Sequence, residues 1–93
     1  MKKADFPQGN NPLSKAIEAF MSAWGGTKYQ KATLQELQDD LVNRIDPILK
    51  EEKGAVQVMA ANLKRRAKGK KTKEDLLMDA NETLFKFFEG TND

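Results

Sequence analysis

Four segments of this chain carry apolar residues at intervals of three and four, which is the spacing of one face of an α-helix. No segment alternates apolar and polar residues as a half-buried strand does. Amphipathic helices of this length are not stable alone in water, so their apolar faces must pack together. The sequence therefore predicts an all-α fold, an antiparallel four-helix bundle with short loops. The apolar positions are Leu13, Ile17, Phe20 and Trp24; Leu34, Leu37, Leu41, Ile45, Ile48 and Leu49; Val56, Met59, Leu63 and Ala67; and Leu76, Leu77, Ala80, Leu84, Phe87 and Phe88.

Capping residues and glycines predict where these helices begin and end. A Ser, Thr, Asp or Asn before an apolar stripe fits an N-cap, more so with proline next to it or an acidic residue three positions later. Residues 1–10 lack helical periodicity and are predicted to form a short disordered N-terminal arm, leaving residues 11–90 as one domain. The predicted N-caps are Asn11 before Pro12, Thr33 with Glu36, and Thr72 with Asp75; the predicted stops are Gly25-Gly26, Gly54 and Gly90.

Pro47 falls inside the apolar stripe of the second helix. Proline removes a backbone donor, so it indicates either a helix boundary at Asp46 or a kink within one helix. The stripe keeps its phase from Ile45 to Ile48, which favours a single kinked helix that runs to Gly54. Residues 27–31, in contrast, are predicted to be a short polar connection.

The side chains that this chain lacks restrict its chemistry. Its 93 residues include no Cys and no His, and its net charge is only +2. Zinc sites and most acid–base or triad catalysis depend on those two residue types, so we expect no enzyme, no metal and no cofactor. No stretch approaches the ~18 apolar residues of a membrane span, and no signal-peptide core follows the basic start. These features predict a cytoplasmic protein.

The charge is unevenly distributed, because seven of the 16 basic residues fall within ten positions that hold no acid. The other nine basic and 14 acidic residues leave the rest of the chain at −5. This basic run could offset a helix macrodipole and keep the protein soluble, bind nucleic acid, or hold the protein at an anionic membrane surface. No aromatic residue is interleaved to stack on bases. The basic run consists of Lys64, Arg65, Arg66, Lys68, Lys70, Lys71 and Lys73.

Three phenylalanines near the end of the fourth segment are further candidates for partner binding. Phe85, Phe87 and Phe88 span most of a helical turn, so they cannot all face the core. We expect Phe85 to be exposed, either as a partner-contacting tip or as a lone apolar surface residue. The acids of the second segment are interpreted as a solvated face: Glu36, Asp39, Asp40, Asp46, Glu51 and Glu52.

The order of features from Leu34 to Phe88 resembles one known family. A Leu-rich helix is followed by Glu51-Glu52-Lys53-Gly54, the segment Ala55-Val56-Gln57-Val58-Met59-Ala60-Ala61-Asn62-Leu63, a basic loop and a last amphipathic helix that opens at Thr72. This order is similar to that of the small immunity proteins of pediocin-like (class IIa) bacteriocins. The chain departs from the usual pattern at Gln57, where a proline is common, at Ala61, where an arginine is common, and at Pro47.

The resemblance implies a four-helix bundle without enzymatic activity that protects the producing cell from an antimicrobial peptide. Proteins of that family act from inside, by engaging the membrane permease of the mannose phosphotransferase system once bacteriocin has bound it. Their specificity lies in the C-terminal half, which here includes Lys68 to Lys71 and the last helix with Phe85, Phe87 and Phe88. Two alternatives stay open: a nucleic-acid-associated or phage-type regulatory protein that uses residues 64–73, and a helical adaptor that forms a homodimer.

Overall fold

The computed structural model describes residues 11–89, which form five helices and no strand. The all-α prediction is therefore confirmed for this part of the chain. The predicted arm over residues 1–10 and the stop at Gly90 lie outside the described residues. The helices are α1 (Pro12–Ala23), α2 (Thr27–Lys31), α3 (Leu34–Glu51), α4 (Ala55–Lys68) and α5 (Lys73–Glu89).

Side-chain caps fix the first turns of the long helices where the sequence predicted them. The Thr33 Oγ1 accepts a hydrogen bond from the Glu36 amide at 3.1 Å, and the Glu36 carboxylate accepts one from the Thr33 amide at 2.9 Å. Asn11 caps α1 in the same reciprocal way, with Ser14 as its partner. These bonds satisfy amides that a helix leaves without an internal partner, so the sequence alone sets these helix starts.

Pro47 lies inside one continuous helix, so the prediction of a single helix across it is confirmed. The predicted end at Gly54 is wrong, because α3 ends at Glu51 and the backbone of Glu52 is already extended. Gln57 donates to the Leu49 carbonyl at 2.9 Å and satisfies an acceptor of the last turn. Gly54 instead precedes α4 with a φ of 76°, a conformation that glycine adopts without strain.

Residues 27–31 were predicted to be a short polar connection between helices, and they form a short helix of their own, α2. Its N-terminal neighbour Gly26 has a φ of 58° and turns the chain sharply after α1. Five residues make too few internal hydrogen bonds to hold a helix in water. Contacts from distant parts of the chain therefore stabilise α2, and these are described with the basic run below.

The core is built from the predicted apolar stripes, with α3 packed against α4 and α1, and α5 packed against α1 and α4. Trp24 is half-buried, and its indole Nε1 donates to the Asp40 Oδ2 at 2.8 Å. Phe88 was predicted to belong to the core stripe, but 43% of it is exposed, so that prediction is wrong. The fully buried large apolar residues are Leu13, Ile17, Phe20, Leu37, Leu41, Ile45, Leu63, Leu76 and Phe87.

Truncation of Phe87 should lower stability far more than truncation of Phe85. Phe87 is fully buried, so Phe87→Ala leaves a cavity and should lower the free energy of unfolding by about 3–5 kcal/mol. The exposed Phe85→Ala should change it by less than about 0.5 kcal/mol. Urea unfolding followed by circular dichroism measures both values, and equal losses would contradict this arrangement of the last helix.

Candidate functional site

The basic run meets its main partner on α5, where the Asp79 carboxylate is 8% exposed. The Arg66 guanidinium binds both oxygens of this carboxylate, with Nε to Oδ2 and Nη2 to Oδ1 each at 2.9 Å. The Lys70 Nζ lies 3.1 Å from Oδ2. Thr83 completes the group, because its hydroxyl accepts from Arg66 at 3.1 Å and donates to the Asp79 carbonyl at 2.9 Å. Two cations of the run therefore join the end of α4 to α5.

Two opposing effects act on the pKa of Asp79. Burial of the carboxyl raises its pKa, but the hydrogen bonds and positive charges of Arg66 and Lys70 lower it by more. The net result is a pKa below the ordinary value for aspartate. In return, the hydrogen bond to Asp79 raises the pKa of Arg66. Both groups are held in their charged forms.

Lys73, the last cation of the run, holds the short helix α2. Its Nζ donates to the carbonyls of Tyr29 at 2.9 Å and Ala32 at 2.8 Å, which are acceptors at the C-terminal end of α2. The same Nζ lies 4.7 Å from the centre of the Tyr29 ring, in cation–π range. Burial and the nearby Glu74 carboxylate raise the pKa of Tyr29. The positive charge of Lys73 therefore lies at the C-terminal end of α2, where it stabilises the helix.

The basic run also reaches α3. Lys64 Nζ lies 2.8 Å from Asp46 Oδ1, and the Gln38 amide donates to the carbonyls of Ala67 at 3.0 Å and Lys70 at 3.2 Å. Asp46 is therefore not simply part of a solvated face, as the sequence suggested. Asp40 also departs from that interpretation, because it accepts from the Trp24 indole and from Arg44.

Four of the seven candidate cations are thus bound within the protein, namely Lys64, Arg66, Lys70 and Lys73. The other three, Arg65, Lys68 and Lys71, are exposed. Arg65 donates to the neighbouring Asn62 side chain at 2.9 Å. Within residues 11–89, neither Lys68 nor Lys71 forms an ion pair. The free positive charge is therefore much smaller than the sequence alone suggests.

The three candidate phenylalanines do not come together on one surface. Phe85 is 56% exposed, as predicted, whereas Phe87 is fully buried and cannot form part of an exposed tip. The reason is geometric, because successive residues of a helix point about 100° apart. Met78, which the sequence analysis did not single out, is 59% exposed and lies seven residues before Phe85. That spacing of two helical turns was the signal that could have identified it.

The remaining features of the described residues are their acidic side chains and surface hollows. Among residues 11–89, no three Asp or Glu side chains come together in an arrangement that could hold a metal ion. A hollow between α4 and α5 is lined by charged and polar groups, including Arg66, Asp79 and Glu82, and by the apolar Met78. No helix in the described range has both the length and the apolar character needed to cross a membrane.

Loss of the Asp79 charge should destabilise the fold, because Arg66 and Lys70 would then lie beside a neutral side chain. We expect Asp79→Asn to lower the free energy of unfolding at pH 7 by about 2 kcal/mol, less than for a fully buried pair because Arg66 is partly exposed. Glu82→Gln, on the exposed side of the same helix, should change it by less than about 0.5 kcal/mol. Urea titration at neutral pH compares the two variants, and equal effects would contradict a stabilising role for Asp79.

Low pH should remove the difference in unfolding free energy between the natural protein and Asp79→Asn. The pKa of Asp79 is lower in the folded than in the unfolded chain, so its stabilisation is complete above the unfolded pKa of about 4. It is lost as the pH falls through the lower folded pKa. The stability gap between the natural protein and Asp79→Asn should therefore narrow from pH 5 towards pH 2. Unfolding curves at a series of pH values measure the gap, and a constant gap would contradict the assignment.

The function of this protein has to be inferred from the geometry of the basic run and of α5, because comparison with known proteins finds no match. No family model, no curated protein and no solved structure matches this chain.

Proposed function

We propose that this chain is a non-enzymatic, cytoplasmic binding protein, and specifically a bacteriocin immunity protein that engages a mannose-type permease with bacteriocin bound. The observation that carries the proposal is the exposure of Phe85 and Phe88 on the last helix. The two side chains are three residues apart and therefore neighbours on the helix surface, and adjoining exposed apolar side chains mark contact surfaces where isolated ones do not. They lie in the C-terminal half, where the resembled family has its specificity. The proposed arrangement of the four long helices is the antiparallel bundle of that family.

The exposed cations suggest how such a protein would approach its target. Lys68 and Lys71 flank the turn between α4 and α5, and neither is neutralised by an ion pair within residues 11–89. Cations near an anionic cytoplasmic leaflet contribute ~1 kcal/mol each. In the proposed mechanism this turn lies against the inner face of the membrane as a peripheral contact, while the exposed phenylalanines contact the permease complex.

Expression of the chain in a sensitive bacterium should raise the concentration of a cognate class IIa bacteriocin needed to stop growth. The double variant Lys68→Gln/Lys71→Gln should lose much of this protection, because ~2 kcal/mol of membrane attraction corresponds to about a thirtyfold loss of affinity. Lys50→Gln/Lys53→Gln, which removes two exposed cations before α4, is the matched control and should protect fully. A panel of such bacteriocins against which the natural chain gives no protection would overturn the proposal.

The internal pairing of the basic run weakens the nucleic-acid alternative. Lys64, Arg66, Lys70 and Lys73 already have partners inside the protein, so only Arg65, Lys68 and Lys71 of the basic run are exposed. Nonspecific binding depends on the number of phosphates that are neutralised. Three exposed cations would give weak binding that physiological salt largely removes.

A titration of labelled duplex and single-stranded DNA tests this alternative. With three phosphate contacts, the logarithm of the binding constant should fall with the logarithm of salt concentration at a slope of about −3 for the duplex and about −2 for the single strand. We therefore expect no measurable binding at ~150 mM salt. A slope near −6 with retained binding at that salt would show that the internal ion pairs open to bind phosphate, and would favour the nucleic-acid function.

A further inference from the structure

The outer face of α5 combines apolar and acidic side chains. Three of the four large exposed apolar residues in the described range belong to this helix: Met78, Phe85 and Phe88. Met78 and Phe85 are seven residues apart, so they lie almost in line along the helix. The core residues Leu76 and Phe87 lie on the opposite side. Met78 and Phe85 are thus directed straight away from the core.

Carboxylates flank this apolar line. Glu74, Asp75 and Glu82 are all exposed, and none of them forms an ion pair within residues 11–89. Lys86 is the exposed cation on the same side. Arg66 and Lys70 lie beside this face and are directed towards Asp79, so these three groups together leave one positive charge uncompensated. The three exposed acids outnumber Lys86 and the one uncompensated cation beside Asp79, so the outer face of α5 presents a weakly negative apolar strip on a protein whose total charge is positive.

We propose that this strip is a docking site for a cationic amphipathic helix of a partner protein. Apolar residues of such a helix at positions i, i+3 and i+7 would pack on Met78 and Phe85, while its basic residues would pair with Asp75 and Glu82. Methionine suits this role because its flexible side chain adapts to the shape of a partner. The proposal deepens the proposed binding function by naming the chemistry of the partner, and does not require that the partner be a permease complex.

The same observations disfavour a second copy of this chain as the occupant. Two copies paired through this face would bring Asp75 and Glu82 of each near acids of the other, and like charges across an interface oppose binding. A stable dimer also buries ~1,600 Å² in total, more than one strip with two or three large apolar residues supplies. Charge complementarity instead favours a basic helix.

A pair of designed peptides tests the proposal with the intact protein. Both peptides are amphipathic helices of about 18 residues with the same leucine pattern, one with lysine and one with glutamate on the polar face. By isothermal titration calorimetry, the lysine peptide should bind at least about tenfold more tightly than the glutamate peptide. Equal binding of the two peptides, or no binding of either, would overturn the proposal.

Three single variants test whether the lysine peptide binds to the outer face of α5. Phe85→Ser and Glu82→Lys should each weaken binding of the lysine peptide about tenfold, by removing an anchor and by reversing a charge. Val58→Ser, which alters a similarly exposed apolar residue on α4, should leave binding unchanged. All three positions are exposed, and circular dichroism verifies that the variants fold. An equal loss of peptide affinity in Val58→Ser would show nonspecific binding to exposed apolar residues and contradict a site on α5.

Two further measurements separate this proposal from its alternatives. Sedimentation that shows a dimer dissociated by Phe85→Ser would identify a second copy as the occupant and overturn the proposal. The peptide titration needs no bacteriocin, so it can succeed where the protection assay fails, or fail where that assay succeeds. Loss of protection in Glu82→Lys, together with loss of peptide binding, would place both functions on the same face of α5.

Discussion

The Asp79 carboxylate is the group on which the C-terminal half of the fold depends. Seven cations within ten residues repel one another, and no acid within the basic run separates them. Asp79 lies nine residues beyond Lys70, on the next helix, and binds both Arg66 and Lys70 while almost buried. A lone buried carboxylate would be strongly unfavourable, and so would two adjacent unpaired cations. Because Asp79 binds both cations, α4 and α5 can pack together at a turn where the cations would otherwise repel one another.

The rest of the run extends the same principle to two more helices. Lys64 reaches Asp46 on α3, and Lys73 binds the carbonyl groups at the end of α2. A stretch that looks like a polyanion-binding segment in the sequence therefore acts largely as a set of internal connections. These side-chain contacts add to the backbone hydrogen bonds of the five-residue helix α2 and of the turn at Gly69, in a chain that has no Cys or His.

Features that depend on neighbouring residues could be predicted from the sequence, and features that depend on distant ones could not. The caps at Asn11 and Thr33 need only a partner three residues away, so pattern alone identified them. The contacts of Lys73 with α2 join residues more than 40 positions apart, and no local pattern encodes them. Phe88 illustrates an intermediate case. Its spacing fits the apolar stripe, but the packing of α5 against α1 and α4 sets the rotation of the helix and leaves it exposed.

Because four cations of the basic run are paired inside the protein, a binding surface is more accessible elsewhere. Arg66 binds both oxygens of the nearly buried Asp79, so it would bind a phosphate only by leaving that carboxylate without its main partner, at the cost of the α4–α5 contact. Exposed carboxylates such as Glu82 carry no such penalty, since they are solvated and form no ion pair within residues 11–89. Acid beside an exposed apolar line is therefore the freer recognition element in this protein, and a basic partner fits it better than an acidic one.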